Sequence, residues 1–124
     1  MTAPCVFMLP NAPSLNHLYE GTGRRKRKSA SYMKWIVEAG LQLNAQKPLP
    51  VYDEPIEVTI FCSRRNRKTD LDNIAAKAVL DLIKTDGHGH GIISDDSIVE
   101  RITMAWDDSQ TNGACVVITP MRPA

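Results

Sequence analysis

A chain of 124 residues, 43% hydrophobic and 23% charged, has enough apolar material for one domain with its own core and too little for two ordinary ones, so residues 1–124 are expected to form a single domain. No apolar run is long enough to cross a bilayer and no secretory h-region opens the sequence, so a cytoplasmic protein is expected. The net charge of +1 conceals a division: residues 1–69 hold 11 Lys and Arg against 5 Asp and Glu, whereas residues 70–124 hold 4 against 9.

In chain order, "CVFML" at 5–9 is a short apolar run closed by Pro10 and Pro13, the pattern of a buried strand leading into a loop. A basic loop, "RRKRK" at 24–28, comes next. From Ser29 or Ser31 as N-cap, "SYMKWIVEAGLQLNAQ" places Met33, Ile36, Val37, Gly40, Leu41 and Leu43 near helical spacing until Pro48 and Pro50 end it. "PIEVTIFCS" alternates, with Ile56, Val58, Ile60 and Cys62 on one face, the period of a strand, and delivers the chain into a second basic run, "RRNRK" at 64–68.

"DLDNIAAKAVLDLIK" at 70–84 carries the strongest helical pattern, with Leu71, Ile74, Ala75, Ala78, Val79 and Leu82 on an apolar face. Asp70, Asn73, Lys77, Asp81 and Lys84 fall on one polar stripe, and Thr69, Asp70 and Asp72 are candidate N-caps. "DGHGHG" at 86–91 breaks the helix, and its histidines, His88 and His90, read as solvent-facing before they read as ligands. "IVERITMAW" and "ACVVIT" follow as strands joined through "DDSQTNG", a hairpin connection turning at Asn112-Gly113. The order β-α-β-α-β-β predicts an α+β fold, one mixed sheet with two helices packed on it. Cys5, Cys62 and Cys115 are odd in number and far apart, which suits reduced core residues.

Two acidic pairs stand out: Asp70 with Asp72, and Asp95 with Asp96. Helix capping and dipole complementation account for one Asp near residue 70, at about 0.5–2 kcal/mol for a cap. They leave the later pair and the flanking arginines unexplained. Mg²⁺ takes one or two carboxylates per ion and fills its shell with water and phosphate oxygens, so three or four aspartates on two segments would supply a metal site. Basic runs beside them would grip a phosphate backbone where a metal activates water, which is nuclease chemistry. Both readings stand on the residues alone.

"LPNAPSLNHLY", "RRNRKTDLDN" followed by "KAVLD", and "IISDDSIVE", in that order and spacing over about residues 7–106, resemble the RusA family of Holliday junction resolvases. The resemblance implies a bacterial or phage-encoded, Mg²⁺-dependent homodimeric endodeoxyribonuclease, with Mn²⁺ as a substitute. It would cut four-way DNA junctions by paired symmetric nicks in recombination and repair. Carried over by position, Asp70, Asp72 and Asp96 would be the metal-binding catalytic carboxylates and Lys77 the catalytic lysine. The DNA contacts would come from Arg64, Arg65, Arg67 and Lys68. The run Arg24, Arg25, Lys26, Arg27 and Lys28 adds a second phosphate-binding candidate. Asn16 and Tyr19, inside the first block, read as turn and core residues.

Two departures from the family pattern bear on the transfer. "IAA" puts three residues where two are usual before the lysine, which on a continuous helix rotates Lys77 by about 100° toward Asp70 and Asn73 and away from Asp72. The "DGHGHG" loop is also longer than usual. The alternatives are a non-catalytic DNA-binding module, which needs only the basic runs, and a metal-dependent nuclease acting on other branched DNA. Paired nicks need two sites, so a dimer is expected, with at least one of Trp35, Phe61 and Trp106 buried between subunits.

Overall fold

The computed structural model describes residues 3–63, 70–87, 89–110 and 113–121. Four strands build the main sheet: β1 (Cys5–Leu9), β4 (Ile56–Ser63), β5 (Val99–Asp107) and β6 (Ala114–Pro120), in the order β1-β6-β4-β5. β6 runs antiparallel to both β1 and β4, and β5 runs parallel to β4, so the sheet is mixed. Two helices, α1 (Ala30–Ala45) and α2 (Ala76–Ile83), complete the α+β fold expected from the pattern. A separate two-stranded ribbon, β2 (Tyr19–Glu20) with β3 (Arg27–Lys28), occupies the stretch expected to be a basic loop.

Strand burial follows the period of two. Cys5, Phe7 and Leu9 of β1, Ile56, Val58, Ile60 and Cys62 of β4, and Ala114, Val116 and Ile118 of β6 point to one buried face. They meet the apolar sides of the helices in a continuous core that includes Tyr32, Trp35, Leu43, Val79, Leu82 and Ile83. All three cysteines are free, and burial raises the thiol pKa of Cys5 and Cys62. Among the described residues no helix is long and apolar enough to cross a membrane.

Three expectations change. β5 and β6 do not form a hairpin, because β4 lies between them and pairs with both. β4 is the most buried strand, and the chain after β5 steps past it, two inter-strand spacings or about 10 Å, to reach its other edge. On α1 the buried side is Tyr32, Trp35, Ala39, Gly40 and Leu43, while Met33, Val37 and Leu41 are exposed. Two aromatic side chains outweigh three smaller aliphatics in buried area, and Trp35 is fixed by its indole N–H donating to Pro10 O at 3.1 Å. Ser29 is the N-cap, its hydroxyl accepting from Tyr32 N at 3.1 Å. The third change concerns α2, which starts at Ala76 and not at residue 70.

Candidate active site

The late start of α2 decides how the aspartates are presented. Arg64, Arg65, Arg67 and Lys68 lie outside the described residues. From Asp70 the chain makes a single 3₁₀ turn over Leu71–Asn73, closed by Asn73 N to Asp70 O at 2.9 Å and Ile74 N to Leu71 O at 3.2 Å. Ile74 and Ala75 are then non-helical: Ile74 forms an isolated antiparallel bridge with Ser14, and Ala75 N donates to Pro13 O at 3.0 Å. The Pro-rich segment after β1 therefore clamps the joint between the aspartate turn and α2. Ile74 and Ala75 are buried there, and the turn packs against β5.

This geometry removes the capping explanation for Asp70 and Asp72. The N-cap position of α2 is Ala75, with no side-chain cap, and Asp70 heads the 3₁₀ turn without accepting a cap hydrogen bond. Both carboxylates are exposed and make no hydrogen bond or ion pair to a described residue. The rotation argued from the extra residue before Lys77 also lapses, because residues 74 and 75 are not helical and break the 100° register.

Lys77 sits in the first turn of α2, exposed, with Nζ 3.5 Å from Asp81 Oδ2. Lys84, at the C-terminal end of the same helix, places its Nζ 3.3 Å from Asp81 Oδ1. Asp81 is thus bridged on both oxygens. Its hydrogen bond and charge raise the Lys84 pKa, and the carboxylates of Asp96 and Asp86 add to the effect. Asp96 consequently lies within the field of the polar edge of α2. The polar stripe was legible in the sequence as i, i+4 and i, i+3 spacing, but the burial of Asp81 was not.

The Asp95-Asp96 pair divides its labour. Asp95 is the N-cap of a 3₁₀ turn over Asp96–Ile98, its carboxylate accepting from Ser97 N at 3.3 Å, and those bonds to Ser97 lower its pKa. Asp96 is exposed in that turn, directly before β5. His88 lies outside the described residues. His90 packs on α1, where a Cβ at Gly40 would stand 2.8 Å from its Nε2, and it lines a cavity with Lys47, Pro48, Leu49 and Val51.

The basic run at 24–28 is exposed throughout. Arg24 and Arg25 stand in a 3₁₀ turn between β2 and β3, and Gly21, at φ +85°, permits the tight return, since a Cβ there would meet Arg25 O at 2.3 Å. Arg27 pairs with Glu20 at 3.3 Å across the ribbon. Lys26 Nζ lies 5.0 Å from the centre of the Tyr19 ring, and Tyr19 meets Tyr32 of α1 edge-on at 6.1 Å. Burial, then the charge of Asp81, push the Tyr32 hydroxyl up to about 12. Tyr19 and Tyr32 therefore connect the basic ribbon to α1, a link that no motif announced.

Among the described residues no three His, Cys, Asp or Glu side chains are close enough to hold one ion, so Asp70, Asp72 and Asp96 do not form a compact three-carboxylate cage within the chain. The donor chemistry nonetheless fits a hard divalent cation: Asp70 and Asp72 are exposed oxygen donors on one short turn, with no commitment to a described residue. Such an ion needs only one or two of them when phosphate and water complete its shell. A search of curated proteins finds no match. The sequence profile of the family described as Endodeoxyribonuclease RusA matches residues 10–119, which takes in the proline clamp, the aspartate turn, α2 and Asp96. The chain belongs to the RusA endodeoxyribonuclease family, enzymes that hydrolyse phosphodiester bonds at Holliday junctions.

Proposed function

We propose that the protein resolves four-way DNA junctions as a Mg²⁺-dependent homodimer, making paired nicks in opposed strands in recombination and repair. The observation that carries this reading is the aspartate turn itself: two exposed carboxylates, clamped at the head of α2, that cap nothing. Asp70 and Asp72 would hold Mg²⁺, or Mn²⁺ in its place, with water and phosphate oxygens completing its shell, and Asp96 would support the same step from the turn before β5. A divalent ion held there would lower the pKa of a bound water to make a nucleophile and would offset charge on the phosphate. Lys77 presents an exposed ammonium in the first turn of α2, suited to the negative charge that develops on phosphate oxygens during cleavage.

Arg64, Arg65, Arg67 and Lys68 immediately precede Asp70, so a backbone they hold is brought to the carboxylates by the chain itself. Arg24, Arg25, Lys26, Arg27 and Lys28 extend the contact along the exposed ribbon. A labelled four-way junction and a linear duplex of matched sequence, incubated with the protein with and without Mg²⁺, test the reading. Paired nicks confined to the junction and dependent on the metal are expected. Cleavage of flaps or nicked duplex in preference to junctions would assign a different branched substrate, and metal-independent binding without cleavage would leave a DNA-binding module.

A further inference from the structure

Asp81 is the one charged residue among those described that the fold buries, at 9% exposure. A carboxylate removed from water needs compensation, and buried ion pairs seldom add net stability. Here the compensation comes from two cations. Lys77 lies one turn before Asp81 and Lys84 almost one turn after it, and each takes a different oxygen, at 3.5 and 3.3 Å. The buried Tyr32 hydroxyl, which has no hydrogen-bond partner among the described residues, does not bond to Asp81. Asp81 instead turns both oxygens to the lysines, of which Lys77 has a side chain 57% exposed and Lys84 one 26% exposed.

We propose that Asp81 is a positioning residue that divides its carboxylate between Lys77 and Lys84, fixing the Lys77 ammonium for the phosphodiester. The proposal rests on the reading of Lys77 as the lysine of the cleavage step. A lysine is a point charge on a flexible stem, and an anchored one loses less freedom when phosphate arrives. Asp81 itself touches no substrate, because its oxygens are spent on the two lysines.

Single-turnover cleavage of a four-way junction in Mg²⁺, followed for hours so that slow variants are measured, tests this alongside junction affinity without divalent ions and the melting temperature. Asp81→Asn is expected to lower the cleavage rate roughly 10- to 100-fold, the range seen when a residue orienting a catalytic group is lost, with affinity changed by less than about twofold. In a Lys77→Met background the same substitution is expected to add less than about twofold, and Asp81→Glu to recover most of the rate. A parental rate in Asp81→Asn, or a loss that multiplies with that of Lys77→Met, would overturn the proposal while leaving Lys77 in place. A parental rate in Lys77→Met would overturn the reading of Lys77 and the proposal with it. Should Asp81→Asn fail to fold, Asp81→Asn/Lys84→Met compared with Lys84→Met carries the same expectation and the same refutation.

Discussion

Asp70 and Asp72 sit two residues apart on one turn, and like charges so placed disfavour each other unless a cation or proton intervenes. With capping removed as their reason, each should matter to cleavage and little to folding. Asp70→Asn is predicted to lower junction cleavage by about 10²-fold or more while leaving the melting temperature unchanged and binding equal or tighter, since it deletes a negative charge beside phosphate. Loss of binding and stability together with cleavage would return the residue to a structural role. Replacing Arg64, Arg65 and Arg67 with Ala should do the opposite, weakening binding and lowering its log-log salt slope by about 3 if each contacts one phosphate, as read from binding titrations over a range of salt.

The loop at 86–91 looked in sequence like a breaker, and in the structure it finishes a helix. The last carbonyls of an α-helix lack partners, and here the returning chain supplies them: His90 N donates to Leu82 O at 2.8 Å, Gly91 N to Lys84 O at 3.0 Å and Ile92 N to Ile83 O at 2.7 Å. Gly89 lies so close that a Cβ would stand 1.8 Å from Lys84 O. Gly89→Ala is therefore predicted to destabilise the fold by about 2 kcal/mol or more in urea unfolding, and to disturb Lys84 with it. Elements were legible wherever one side of a strand or helix dominated: β4 alternates as its sequence does, and the apolar side of α2, with Ala78, Val79 and Leu82, is the buried one. The misses have physical causes. The 70–84 pattern stayed helical through Ile74 and Ala75, whereas Pro13 and Ser14, sixty residues earlier, hold those positions out of the helix, and a tertiary clamp of that kind leaves no periodic mark. The β5–β6 hairpin failed because turn residues signal a reversal of the chain and not which strand receives it.

At the scale of the molecule, the proposed paired nicks raise the question of how a chain with one set of aspartates would cut two strands. Of Trp35, Phe61 and Trp106, at least one of which is expected between subunits, Trp35 is buried in the chain's own core, while Phe61 and Trp106 are half-buried. Motifs are silent on assembly, because a subunit surface needs only to match itself. Function gives a sharper test than composition does. If each protomer of a two-fold dimer cuts one strand with its own Asp70, Asp72 and Asp96, a dimer pairing a wild-type chain with an Asp70→Asn chain should nick one strand and stop. Equal mixtures of the two chains, unfolded and refolded together, would place about half of the dimers in that mixed class by random pairing. The predicted readout is the accumulation of singly nicked junctions that homodimers of wild-type chain do not accumulate, with sedimentation at micromolar concentration reporting a dimer throughout. A monomeric enzyme would show otherwise: the Asp70→Asn chain would compete for junctions and slow both nicks alike, and the singly nicked fraction would not depend on whether the chains were mixed before or after refolding. That outcome would leave a single-strand nicking enzyme, and paired resolution would then require two independent binding events.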